Sequence, residues 1–193
     1  MGGSTITNNL EKDNLLERLD RLLDWIKSCD TKASIGITAV GIFLTIFLSE
    51  KSLTGINKII IAATRDFNFS NLIYLLLIFI AALSVIYGGF NLISVLVPRL
   101  NSFASKISGT RSISFYYFGS IANGDYDTFK QKIQNETEDD EIEDILSQIY
   151  INSKICDVKF RYYKKGIIYS FSGIVALILL YVIGFLLLKL GGF

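Results

Sequence analysis

An all-α polytopic membrane protein, with three transmembrane helices and a small helical cytoplasmic stalk, is what this 193-residue sequence predicts. Three observations predict it. Three apolar runs, Ala33–Ser49, Leu72–Val97 and Gly166–Leu188, hold no charged residue. A helix needs roughly 20 apolar residues to cross the hydrocarbon core of a bilayer, and backbone groups in lipid must pair within their own helix. The basic residues are also unevenly spread. Of 19 Lys and Arg, 15 precede the first run or lie between the second and third, and 4 lie in the other two segments. The excess of positive charge marks the cytoplasmic side, so the N-terminus and segment 98–165 should be cytoplasmic, and loop 50–71 and the C-terminus external.

The resulting organisation has four parts: a cytoplasmic amphipathic helix over 1–32, transmembrane helices 1 and 2 over 33–97 with the external loop 50–71, a cytoplasmic helical segment over 98–165, and transmembrane helix 3 with the external C-terminus over 166–193. In the first part, Leu15, Leu19, Leu22, Ile26 and Cys29 recur at alternating spacings of four and three, the pattern of a packing seam. Nothing separates this helix from the first span, so it should run unbroken from about Asn9 to Ser49. The apolar patch Ile56–Ala63 in the external loop either lies at the interface or starts the second span early. Pro98 ends that span. Beyond it come a polar stretch to Ser114, the aromatic cluster Phe115–Phe118 and a turn at Ala122–Asp125, where Asp125 caps a short helix Tyr126–Gln134. Asn135–Thr137 starts the last helix, and its first turn carries Glu138–Glu141, favoured there by the helix dipole. Ile142, Ile145, Leu146 and Ile149 begin an apolar stripe that Cys156, Phe160, Tyr163 and Ile167 continue. Unbroken from Glu138 to Leu188, the helix would measure about 75 Å.

Composition excludes several classes. With no histidine, His-based acid–base catalysis and His-ligated metals are out. The two cysteines, Cys29 and Cys156, form no CxxC pair and no phosphate-binding glycine loop is present. A net charge of +1 argues against nucleic acid as partner. The polar first 32 residues do not read as a cleaved signal peptide. No catalytic residue, metal site or cofactor is expected, and the chain reads as a non-enzyme.

Small and hydroxyl residues line one face of each span: Ser34, Thr38, Gly41, Thr45 and Ser49; Ser84, Gly88 and Asn91; Gly166, Ser170 and Gly173. Such faces let membrane helices approach closely. The sharper alternative is that Ser34, Thr38, Thr45 and Asn91 line a water path in a homo-oligomer. A buried amide such as Asn91 wants a partner in lipid. Without an intramembrane charge, weak leakage or bilayer disturbance fits better than ion-selective conduction. Asp30 and Lys32, one turn from the first span, are either a gate latch pairing with a neighbouring helix or ordinary interfacial anchors.

Several short elements recur in a telling order. Asp30-Thr31-Lys32-Ala33 leads into the first span, Phe115-Tyr116-Tyr117 follows the second, then comes Gln148 to Asn152-Ser153, and Lys159-Phe160-Arg161 steps into the third. Together, from about Leu15 to Leu188, they resemble the transmembrane effectors of Pycsar antiphage defence. That resemblance implies a bacterial inner-membrane protein triggered by a cyclic pyrimidine mononucleotide, cyclic CMP or cyclic UMP, that impairs the membrane and halts phage growth at the cost of the cell. Segment 98–165 is too small for a conventional cyclic-nucleotide-binding β-roll. A nucleotide phosphate would want Arg or Lys and its base an aromatic face, which makes Arg111, Lys154, Lys159 and Arg161, with Tyr116 and Tyr117, the ligand-binding candidates. The rival reading is a structural anchor or assembly protein that recruits a partner through its cytoplasmic helices.

Overall fold

In the computed structural model, residues 2–65, 68–97 and 114–192 are described, with side chains from residue 11 onward. All regular structure among them is helical: α1 (Gly2–Phe47), α2 (Glu50–Arg65), α3 (Phe69–Leu96), α4 (Phe118–Ala122), α5 (Tyr126–Asn135) and α6 (Glu138–Leu190). Three of these, α1, α3 and α6, are long and apolar enough to cross a membrane. The chain forms two compact units: a polar unit of Met1–Cys29 with Pro98–Lys159, and a membrane unit of Asp30–Val97 with Phe160–Phe193. Two of the three boundaries fall inside a helix, at Cys29/Asp30 in α1 and at Lys159/Phe160 in α6.

The membrane unit is built on close approach. Ala81, Val85, Gly88, Leu92 and Val95 form the buried row of α3, and Gly166, Ser170, Gly173, Leu177 and Gly184 the buried row of α6. The rows run antiparallel. Leu92 meets Gly166, Gly88 meets Ser170, Val85 meets Gly173 and Tyr74 meets Gly184. At Gly88 the approach leaves no room for a methyl group, which would collide with the Ser170 backbone nitrogen. A methyl on Gly166 would lie 2.7 Å from Leu92 Cγ, and one on Gly36 of α1 3.3 Å from Leu92 Cδ1, so the wholly buried Leu92 joins all three spans. Two hydroxyls bond across this seam to backbone carbonyls: Tyr74 Oη to Leu180 and Ser84 Oγ to Tyr169, both at 2.8 Å. The small faces of the second and third spans are therefore packing faces.

The first span behaves differently. Its buried row is Ala33, Gly36 and Val40, while Ser34, Thr38, Gly41, Thr45 and Ser49 are all exposed. Ser34, Thr38 and Thr45 each donate to the carbonyl four residues back at 3.0 Å, which satisfies the hydroxyls without a neighbouring helix.

Segment 50–71, expected as a loop, is helical over Glu50–Arg65. Ile56, Ile59, Ile60 and Ala63 recur with helical spacing, and Ile59 and Ala63 pack against Tyr74, Leu75, Ile78, Leu180 and Tyr181. Glu50 in the first turn and Arg65 in the last suit the helix dipole. The amphipathic pattern was present in the sequence, but its four apolar positions gain a reason to fold only from the faces of α3 and α6.

In the polar unit, α6 begins with a capping box. Thr137 Oγ1 accepts from the Asp140 amide, and the Asp140 carboxylate accepts from the Thr137 amide, both at 3.2 Å. Asp125 caps α5 by accepting from the Thr128 amide at 2.9 Å, as its sequence position predicts, and hydrogen bonds from the Thr128 side chain and then its amide hold the carboxyl below the usual range. The α1 stripe is the seam expected: Leu19 and Cys29 are buried and Leu15, Leu22 and Ile26 half-buried. The α6 stripe is rotated from the predicted one. Leu146 and Phe160 are exposed, and the buried row is Asp144, Gln148, Ile151 and Ile155, with Ile145, Ser147 and Cys156 beside it. This row repeats the four-three-four spacing of Leu15, Leu19, Leu22 and Ile26. The Lys12–Glu141 ion pair sets the register, and counting along the two helices from it brings Leu15 level with Asp144 and Leu19 with Gln148.

Candidate functional site

Helix α6 presents Glu141 and Asp144 three residues apart, hence as neighbours on one face. The turn Ser114–Tyr117 lies against them. Ser114 Oγ accepts from the Tyr116 amide at 3.1 Å, and the Ser114 amide donates to Ser120 Oγ at 3.4 Å, which holds the turn to α4. With the turn so shaped, the Phe115 amide donates to Asp144 Oδ2 at 2.7 Å and the Tyr116 hydroxyl donates to Glu141 Oε1 at 2.8 Å. From α1, the Lys12 ammonium reaches the other Glu141 oxygen at 2.8 Å. Phe115 stands edge-on to Phe129 of α5, 5.8 Å between centroids. One carboxylate thus ties α1, the aromatic turn and α6 together, and a second holds the turn's backbone.

The electrostatics follow. The Lys12 hydrogen bond, helped by that from Tyr116, holds the Glu141 carboxyl below the usual range. Burial, and then the Glu141 carboxylate that accepts its proton, push the Tyr116 phenol far up, so it stays a donor at any physiological pH. Asp144 is 0% exposed. Its Oδ1 is buried and has no hydrogen-bond partner among the described residues. No group of three or more potential metal ligands occurs among the described residues.

Of the predicted ligand-binding residues, the structure brings Tyr116 into this cluster. Tyr117 follows it, its ring tilted against Phe118 at 5.0 Å. Lys154 is exposed, its ammonium 5.3 Å from the centre of the Tyr150 ring. Lys159 is half-buried, Arg161 is exposed and belongs to the membrane unit, and Arg111 lies outside the described residues. On a straight helix, Lys154 and Lys159 stand about 20 and 27 Å along the axis from Glu141. They do not share a site with Tyr116. Lys12, Glu141 and Asp144, which hydrogen bonds link to the Phe115–Tyr116 turn, were not among the candidates singled out from the sequence. The legible signal for Asp144 was its place in a four-three-four row with Gln148, Ile151 and Ile155.

Of the predicted gate residues, Asp30 is half-buried, Lys32 exposed, and Ser34, Thr38 and Thr45 lie on the outward face of α1. Asn91 is 2% exposed, and its Nδ2 donates to the Tyr87 carbonyl at 2.7 Å, so its own helix supplies the partner it needs. The membrane unit also holds a cavity of about 590 Å³, lined by side chains such as Val40, Phe47, Tyr74, Phe90 and Tyr181. Its lining is apolar, which suits hydrocarbon and not a hydrated ion.

Comparison with known proteins decides the family. The family model of the PycTM Pycsar effector protein domain matches residues 14–188. This chain belongs to the Pycsar effector family. It is 30% identical over 186 residues to the Pycsar effector protein GmPycTM of Gulbenkiania mobilis, covering 88% of this chain and 90% of that protein. No solved structure matches the chain. With three helices long and apolar enough to span a bilayer, the chain is a membrane protein. The order of short elements read from the sequence thus pointed to the right family.

Proposed function

We propose that this chain is the membrane effector of a bacterial antiphage system, triggered by cyclic CMP or cyclic UMP, and that it impairs inner-membrane integrity without catalysing a reaction. Family membership over residues 14–188 is the observation that carries this reading. The structure supports it in two ways. Its polar unit holds a cluster of carboxylates, aromatic rings and a lysine suited to a small polar ligand, and α1 and α6 each continue from that unit into a span. The N-terminus and the polar unit lie in the cytoplasm, where the basic residues concentrate. Subunits associate into a homo-oligomer in the bilayer. Ligand binding among the cytoplasmic helices favours an arrangement that disturbs the membrane. A ligand shifts such an equilibrium only by its differential affinity, so the disturbing form must bind it better.

The test is membrane potential in bacteria expressing the chain, with and without a co-expressed pyrimidine nucleotide cyclase. Depolarisation only with the cyclase is expected. Depolarisation without it would mean an ungated channel, and none in either case would leave an anchor or assembly role.

A further inference from the structure

We infer that Asp144 is the base-recognition residue of the polar unit, and that its free oxygen selects a ligand carrying an exocyclic amine, cytosine rather than uracil. This deepens the proposed reading and rests on it.

The starting point is an imbalance. A carboxylate has two acceptor oxygens, and buried ones are normally satisfied. Asp144 uses Oδ2 for the Phe115 amide at 2.7 Å, while Oδ1, equally buried, has no partner among the described residues. Its neighbours complete a nucleotide-binding set. Phe115 and Tyr116 offer aromatic faces, on which any base can stack. The Lys12 ammonium, about a third exposed, is the nearby cation for a phosphate, and Glu141 is an acceptor for a sugar hydroxyl. The cover over Asp144 is the Ser114–Tyr117 turn, held to α6 by the Phe115 amide and the Tyr116 hydroxyl. Two hydrogen bonds are a light closure for a ligand to displace.

The chemistry of Oδ1 then dictates the base. Cytosine presents an N4 amine, a donor, where uracil presents O4, an acceptor. An ionised carboxylate can only accept. The amine completes Asp144, whereas the uracil carbonyl would set two acceptors against each other in a dry site.

Binding of cyclic CMP and cyclic UMP to the purified full-length chain in lipid nanodiscs tests this by calorimetry. The wild type is expected to bind cyclic CMP at least tenfold more tightly than cyclic UMP. An analogue dimethylated at N4, which keeps the ring and loses both donors, should lose at least tenfold. Asp144→Asn, whose amide both donates and accepts, should bring the two nucleotides within about threefold of each other. Equal binding of both nucleotides by the wild type, or an unchanged preference in a folded Asp144→Asn protein, overturns the assignment and leaves the proposed function standing. Binding of neither overturns both. Should Asp144→Asn fail to fold, the analogue comparison on the wild type decides alone.

Discussion

The α3–α6 seam of the membrane unit and the α1–α6 seam of the polar unit use the same helix, α6, in opposite ways. In the membrane unit contact comes from removing side chains: Gly166, Gly173 and Gly184 let α3 in, and Gly88 lets Ser170 in. In the polar unit the seam carries charge and amide groups, with Asp144 and Gln148 buried in the row and Lys12 bridging to Glu141. The first kind of seam depends on shape and has one good arrangement, because apolar side chains gain nothing over lipid unless they fit closely. The second depends on hydrogen bonds whose partners water or a ligand can replace, so it is the adjustable one.

The largest effect should come from closing the space at Gly88. Gly88→Leu drives a side chain into the Ser170 backbone and should cost about 3 kcal/mol, or prevent the spans from assembling. Thermal unfolding in detergent reads this, and a stable Gly88→Leu protein would refute the close-packed seam.

Next comes the carboxylate under the turn. Asp144→Ala leaves the half-buried Phe115 amide without its carboxylate partner and should cost about 1–3 kcal/mol. The loss should appear as faster hydrogen exchange at Phe115 and Tyr116, with the membrane helices unchanged. Uniform acceleration across both units would mean that they do not respond separately.

A smaller effect follows from pH. Glu141 has its carboxyl lowered by Lys12 and Tyr116, so the folded state prefers the ionised form. The stabilisation is full above the ordinary glutamate value of 4.5 and is lost as pH falls through the lowered one. Both partners are partly exposed, so the ion pair contributes at most about 1 kcal/mol. Exchange at the Ser114–Tyr117 turn should rise below about pH 4.5 in the wild type and lose that pH step in Lys12→Met.

The smallest effect is at the outward hydroxyls. Thr38→Ala and Thr45→Ala each remove a bond to the residue's own helix and should change stability by no more than about 0.5 kcal/mol. A larger loss in melting temperature would show that this face is packed against a second copy.

Much of this protein was determined by sequence alone. The three spans, the continuity of α1 and α6, the α1 seam, the Asp125 cap and the family follow from local causes: uncharged apolar runs, helical spacing, capping chemistry and short ordered elements. Tertiary structure decided the rest. Whether a row of small residues faces a neighbouring helix or the bilayer is invisible in one span, so the faces of α3 and α6 became packing faces while the similar face of α1 did not. Helix α2 gained its apolar footing from Tyr74, Leu75, Ile78, Leu180 and Tyr181, side chains distant in the chain from it or on the next helix. Asp144 hid from a reading by hydropathy because a charged residue counts as exposed until a hydrogen bond from a distant turn, Phe115 at 29 residues' separation, lets it be buried. Lys12 and Glu141 lie 129 residues apart, and only the folded chain makes them partners.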